Sequence, residues 1–266
     1  MTICKDVGRS AVTPAKHEHL QALLHMELQI NRKYILRGWP FVYIETHAGT
    51  GYYWLDGQPL EEGPQLGSPI EALLELDRNP IFRNKQARYA ALFVDQHRTY
   101  AKRLRTFIQR AELGRYGHCE IVSGQCQEAL PAIARRVRIG SRGLIFVDPN
   151  GLPPQGIFDV FQQPQLARID VALWIDLRTI RRVLAVKRWP DHFRGKEIGD
   201  RRPTADLIAS IPKQRWLVRR PFVRANSERT MVIGTNWTDF PIWTAGGYVP
   251  LDSLEGRSII GLAAAG

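Results

Sequence analysis

The sequence predicts an α/β fold, a mostly parallel sheet with helices on both faces, and three observations carry that expectation. Short apolar runs alternate with segments of helical periodicity along most of the chain. Each run ends in polar or turn-forming residues, as in parallel strands whose functional ends point one way. The first run, FVYIETHAGTGYY from Phe41 to Tyr53, breaks into Glu45 and then Gly49-Thr50-Gly51, a turn that lets backbone approach a nucleotide-like ligand.

Ahead of that strand, Pro14 to Tyr34 carries Leu20, Leu23, Leu24, Leu28 and Ile30 at mostly helical spacing, which predicts an amphipathic helix. Phe41 to Thr46 is a strand. The turn-rich stretch to Gly67 is a long loop, and Ser68-Pro69 predicts an N-cap and a proline in the first turn of a helix reaching about Arg78. This separation differs from the compact dinucleotide fingerprint, where the helix opens at the glycines, and it makes a dehydrogenase the weaker reading. Alternation continues with strand Ala90 to Val94, helix Tyr100 to Leu113, strand Cys119 to Val122, helix Gln125 to Val137 and strand Leu144 to Val147. Ile169 to Ile175 and Thr179 to Val186 predict a further strand and helix, and Trp216 to Arg224 with Thr230 to Thr235 a closing pair that includes an antiparallel strand.

The 266 residues suit one domain with a basic elaboration at 178–224. Composition is that of a globular protein, 44% hydrophobic and 24% charged, with no apolar run near the roughly 20 residues of a membrane helix. The amino-terminal residues lack the apolar core of a secretory signal, so a cytoplasmic location is expected. Cys4, Cys119 and Cys126 lack the paired spacing of a zinc site or disulfide framework and read as reduced thiols, and no metal is expected. The net charge of +11 attracts polyanions. Arg181, Arg182, Lys187, Arg188, Arg194, Arg201 and Arg202, interleaved with Trp189 and Phe193, form a candidate nucleic-acid surface, the alternative being a solvated basic face. Nucleic acid is the expected partner and a membrane is not; a protein partner and the oligomeric state stay open.

Ligands of open parallel sheets bind beyond the carboxyl ends of the strands. Those ends are Glu45-Thr46-His47 with the glycine turn, Asp95 after LFV, Gly124-Gln125-Cys126 after EIVS, and Asp148-Pro149-Asn150-Gly151 after LIFV. An ionised carboxylate accepts two hydroxyls at once, so Asp95 is placed to hold a ribose, although an Asp there also caps helices.

This ordered set resembles the class I S-adenosylmethionine-dependent methyltransferases, whose fold is Rossmann-like. More narrowly, Lys16-His17, YIETHAGTGYY, Gly67-Ser68-Pro69, FVDQH and FVDPNG resemble the three-Cys-motif partner protein family. ETHAGTG and GSP also resemble the ribosomal-RNA adenine-N6 methyltransferases, which carry a DTHAGAG turn and a DPPY motif. The resemblance spans about residues 16 to 151, with TMVIGTNW suggesting a shared late strand. It implies S-adenosylmethionine as cofactor, with its methionine part near His17 and His47, room made by Gly49 and Gly51, Ser68 close by, Asp95 on the ribose, and Gln125 and Cys126 beside the adenine. It implies Asp148, Pro149 and Asn150 at the methyl-acceptor site. Gln125 stands where the family usually has Asp, and its amide oxygen still accepts from an adenine amino group. DPNG stands in place of DPPY and lacks the aromatic residue on which a target base stacks. The implied activity is methyl transfer to a nucleobase amino group of adenine-N6 type. A small-molecule or protein acceptor remains open, as does a catalytically inactive nucleic-acid-binding protein on the same fold.

Overall fold

The computed structural model of the chain describes residues 13–53, 65–149, 155–177, 213, 215–219, 222–224, 227–236, 247–251 and 253–259. By contact the chain divides into two units, residues 1–129 with 140–144, and residues 130–139 with 145–266.

The first unit opens with helix α1 (Thr13–Leu36), whose Leu20, Leu23, Leu24 and Leu28 are buried. Strand β1 (Phe41–Glu45) follows and is buried along its whole length. After the glycine turn, β2 (Tyr52–Tyr53) pairs antiparallel with β3 (Gln65–Leu66). Helix α2 (Ser68–Arg78) and the short α3 (Pro80–Arg83) lead to β4 (Tyr89–Asp95), α4 (Arg98–Arg110) and β5 (His118–Ser123). The β1 and β4 strands pair in parallel from Phe41 beside Tyr89 to Glu45 beside Phe93, and β4 pairs in parallel with β5 from Ala90 beside His118 to Asp95 beside Ser123. Residues 142–144 open β6 (Arg142–Val147), and the Arg142 amide donates to the Pro40 carbonyl at 3.0 Å. The strand order β6-β1-β4-β5 makes β1 the strand at which the order reverses, the place where open α/β sheets bind ligands.

Hydrophobic burial supplies the driving force here, at about 1.5–3 kcal/mol for each large apolar side chain removed from water. Tyr43, Phe41, Phe82 and Phe93 are among the largest fully buried side chains. Polar contacts set how α1 meets α2: Gln21 donates to Glu71 at 2.5 Å, and four residues on His25 pairs with Glu75 at 2.9 Å. The matching spacing of four aligns one face of each helix. Asp77 accepts from the Tyr89 hydroxyl at 2.5 Å and from the Gly114 amide at 2.8 Å, tying α2 to the start of β4 and to the turn after α4.

In the second unit, residues 130–136 of α5 (Cys126–Arg136), residues 145–147 of β6, and α6 (Gln155–Phe161) precede β7 (Ile169–Asp176). The later strands are β8 (Arg215–Arg219), β9 (Phe222–Arg224), β10 (Ser227–Thr235) and β11 (Tyr248–Pro250), followed by α7 (Leu254–Ile259). The order is β11-β8-β10-β7-β6, with β9 also on β10, and β7, β8 and β9 all pair antiparallel with β10. Asp170 anchors the β10 end by accepting from the Thr235 hydroxyl at 2.7 Å. The Lys213 ammonium donates to the carbonyls of Leu166, Ala167 and Ile169.

The sequence expectations hold for the alternation of elements, with several physical corrections. Gly67 is the N-cap of α2 and Ser68 is its first residue, because the Ser68 hydroxyl is drawn away to Glu45. The expected helix Tyr100 to Leu113 starts at Arg98 and stops at Arg110, where Glu112 takes a positive φ of 51° and turns the chain out of the helix. Trp216 to Arg224 splits into two strands. The β5 strand lies at the sheet edge and is half exposed, contrary to the expectation of burial on both faces. The expected helix Thr179 to Val186 lies outside the described residues.

Candidate active site

The site is built at the carboxyl ends of β1, β4 and β5, in the first unit. Alternate residues of a strand share a face, so Tyr43 and Glu45 lie on one side of β1. Glu45 is fully buried, and a buried carboxylate is costly unless hydrogen-bonded. Two hydroxyls meet that need: Tyr43 donates to Oε2 at 2.9 Å and Ser68 to Oε1 at 2.5 Å. The second bond fixes the first turn of α2 against the end of β1.

The glycine turn follows immediately. Gly49 has φ 65° and Gly51 φ 84°, a backbone region that side chains with a Cβ rarely adopt. Their surroundings differ. A Cβ on Gly49 would meet nothing within 4 Å, whereas one on Gly51 would lie 2.7 Å from Leu104 Cδ1 and 3.1 Å from Ile70 Cγ1. Gly49 therefore borders open space, and Gly51 lets the turn pack on α2 and α4. Gly51 also receives the Gly67 amide on its carbonyl at 2.7 Å, which draws Gly67-Ser68-Pro69 against the turn.

Asp95 ends β4 and is 8% exposed. Its Oδ2 accepts from the Gly49 amide at 2.8 Å and its Oδ1 from the His97 amide at 2.8 Å, while its carbonyl receives the Gly124 amide at 2.9 Å. Asp95 thus joins the loops after β1, β4 and β5. A carboxylate has about four acceptor sites, so two remain for the vicinal hydroxyls of a ribose. The capping alternative is partly realised, since the bond to His97 steadies the chain entering α4.

His47 connects the remaining predicted groups. Its Nδ1 lies 2.7 Å from the Thr46 hydroxyl and its Nε2 3.6 Å from Cys126 Sγ. Cys126 in turn donates to Gln127 Oε1 at 3.4 Å. The His47 ring thus bridges the Thr46 hydroxyl and the Cys126 sulfur. Burial pushes the Cys126 thiol up to about 11, with backbone hydrogen bonds opposing, so the sulfur keeps its proton at neutral pH. Gln125 is exposed on the same loop and receives the Gln127 side-chain amide. His17, buried on α1, meets Tyr53 edge-on with ring centroids 5.2 Å apart, which brings the helix to the strand after the glycine turn. Burial raises the Tyr53 hydroxyl pKa, and the Glu71 charge adds to the effect.

His47, Gly49, Ser68, Asp95 and Cys126 are thus linked through the three strand ends, and Gln125 joins them through its loop. Glu45, Thr46 and Gly67 complete the arrangement, although sequence reasoning did not single them out as site residues. The signal for Glu45 was a Tyr and a Glu two apart in an otherwise apolar strand. Asp148 and Pro149 are half-buried residues directly after β6, in the second unit. Asn150 lies outside the described residues, as do Arg181, Arg182, Lys187, Arg188, Arg194, Arg201 and Arg202. Among the described residues, no cluster of His, Cys, Asp and Glu has the arrangement of a metal site, and no helix is long and apolar enough to cross a membrane.

No protein-family model matches the sequence, and no curated protein is significantly similar to it. Similarity to solved structures is extensive. An O-methyltransferase from Bacillus cereus, solved in complex with SAH, superposes with a TM-score of 0.51 at 17% identity, over 87% of this chain and 83% of that one. The chain has the fold of the class I methyltransferases. The O-methyltransferase TomG from Streptomyces achromogenes, involved in tomaymycin synthesis and solved with SAM, gives a TM-score of 0.47 at 14% identity over 87% of this chain and 83% of that one. In the class I methyltransferase fold the β1, β4 and β5 ends described above are the first three strand ends of the parallel sheet.

Proposed function

We propose that the protein is an S-adenosylmethionine-dependent methyltransferase whose acceptor is an amino group of a nucleobase in DNA or RNA, of adenine-N6 type. The observation that carries this reading is the bond between Asp95 and Gly49, which sets a carboxylate with spare acceptor sites beside a turn bordered by open space. The residues present fit the cofactor. Asp95 would hold the ribose hydroxyls, Gly49 and His47 the methionine side, and Gln125 with Cys126 the adenine. Bound there, the cofactor supplies an electrophilic methyl group carried on a sulfonium. The motif order supports the finer resemblance to three-Cys-motif partner proteins and to ribosomal-RNA adenine-N6 methyltransferases.

The chain's own part is to bind and orient. In this reading Asp148 would accept one N–H of the acceptor amine and the Pro149 carbonyl the other, leaving the nitrogen lone pair free to accept a methyl group. The proton lost from nitrogen passes to Asp148 or to water. Orientation of this kind contributes several kcal/mol of the roughly 7–11 that proximity supplies in favourable cases.

One sequence feature favours a second reading, a small-molecule or protein acceptor: Asn150 and Gly151 stand where DPPY enzymes carry their stacking aromatic. Incubation with methyl-labelled S-adenosylmethionine and separate DNA, RNA, protein and metabolite pools tests both. Label in nucleic acid that disappears with Asp148→Ala supports the first reading. Label confined to protein or metabolites supports the second, and no transfer to any pool would contradict both.

A further inference from the structure

Helix α4 carries five cations, Arg98, Lys102, Arg103, Arg105 and Arg110, and no carboxylate in its 13 residues. Its core face is Ala101, Leu104 and Ile108, all buried. Arg98, Lys102 and Arg105, spaced four and three apart, form an adjacent exposed stripe that Gln109 extends. Among the described residues, no carboxylate pairs with Arg98, Lys102 or Arg110. Arg98 also occupies the first turn, where the helix dipole opposes positive charge. A sequence that breaks a local rule in this way, with no compensating contact, marks a surface kept for a ligand.

The stripe starts three residues after Asp95 and ends beside β5, where Arg105 donates to the Ile121 carbonyl at 2.9 Å. There it meets a cleft of about 640 Å³ whose lining includes Arg105, Gln109, Glu112, Arg115 and Cys119, with Glu112 its one carboxylate. At 1.5 Å per residue, Arg98 to Arg105 spans about 10 Å along the helix, long enough to meet more than one phosphate of a strand.

We propose that the exposed face of α4, Arg98, Lys102 and Arg105 with Arg115 beyond them, is a phosphate rail that binds the backbone of single-stranded nucleic acid leading away from the site at Asp95. The inference rests on the nucleic-acid reading above and gives it a second set of cations, elsewhere in the sequence from the basic segment at 178–224. Charge complementarity carries it: exposed cations at helical spacing, with no carboxylate on their helix, match a linear polyanion, whereas an acidic globular partner would need apolar contacts that this stripe lacks.

The test is fluorescence anisotropy of the full chain with fluorescein-labelled 20-nucleotide RNA and DNA strands across a salt series. Arg98→Gln with Lys102→Gln and Arg105→Gln is expected to weaken binding about tenfold or more and to reduce the slope of log affinity against log salt by about 2, three phosphate contacts at about 0.7 each. Arg32→Gln with Arg37→Gln and Arg88→Gln removes the same charge from exposed positions elsewhere and should leave most of that slope. Lys102→Gln alone, at an exposed side chain with no carboxylate partner among the described residues, should remove about one third of the effect while the melting temperature stays unchanged. Equal losses in the two triple variants, an unchanged slope in the first, or selective binding of anionic vesicles over both strands would overturn the rail. Calorimetry with S-adenosylhomocysteine separates the two claims. A triple variant that binds it while keeping full nucleic-acid affinity sinks the rail alone, and a wild-type chain that binds strands through the rail but not S-adenosylhomocysteine sinks the methyltransferase reading alone.

Discussion

The Gly49 amide donates to Asp95 Oδ2 at 2.8 Å, joining two strand ends that lie 46 residues apart in sequence. Gly51, two residues on, faces Leu104 and Ile70 instead of open space. The two glycines therefore respond differently to a methyl group. Gly51→Ala should lose about 1–2 kcal/mol to its left-handed backbone and about 1–3 more to overpacking against Leu104. Gly49→Ala should lose only the backbone contribution, yet weaken cofactor binding more than its stability loss explains. Denaturant melts and calorimetry on both variants check this, and equal destabilisation of the two would contradict it.

Ser68 and Tyr43 both donate to the buried Glu45 carboxylate. Each of Ser68→Ala and Tyr43→Phe should cost about 1.5–3 kcal/mol, the range for hydrogen bonds to a charged group. Because the two bonds serve one carboxylate, the double variant should depart from the sum of the single variants by about 0.5 kcal/mol or more, as coupled neighbours do. Urea unfolding of the three variants measures this. A Ser68→Ala protein as stable as wild type would remove Glu45 from its anchoring role.

Burial raises the thiols of Cys119 and Cys126 from their usual 9.0 to about 11, with the Asp77 charge adding to the effect at Cys119. The folded chain holds these protons after the unfolded chain has released them, so the stabilisation is complete below about pH 9 and is lost as pH rises toward 11. Wild-type stability should fall between pH 8 and pH 10, and Cys119→Ala with Cys126→Ala should fall less. Tyr53, Tyr89 and Tyr248 are raised by burial as well, so their contribution begins to fall as unfolded tyrosines titrate near 10.0, and it falls equally in both proteins. Urea midpoints at the two pH values decide it, and parallel declines in both proteins would refute the thiol contribution.

The parallel strands were legible because β1, β4 and β6 are short buried runs ending in polar residues, and Asp95 was legible because it stands at such an end. What escaped the sequence depends on contacts between distant residues. Ser68 looked like an N-cap because Ser-Pro commonly opens helices, and its use as a donor to Glu45 follows only once β1 and α2 are packed together. The two glycines looked alike because local spacing does not reveal that Leu104, 53 residues later, packs against one of them. The α4 cations went unremarked because the denser basic run at 178–224 drew the nucleic-acid reading, while exposure on one helix face emerges only from the fold.

The central claim is that the β1, β4 and β5 ends form an S-adenosylmethionine site organised by Asp95, and calorimetric titration with S-adenosylhomocysteine tests it most directly. The account predicts saturable binding of one molecule per chain, weakened about tenfold or more by Asp95→Ala, the loss expected when a bond to a charged group is removed. Absence of binding to the folded wild-type chain at millimolar ligand, or equal affinity in Asp95→Ala, would contradict it.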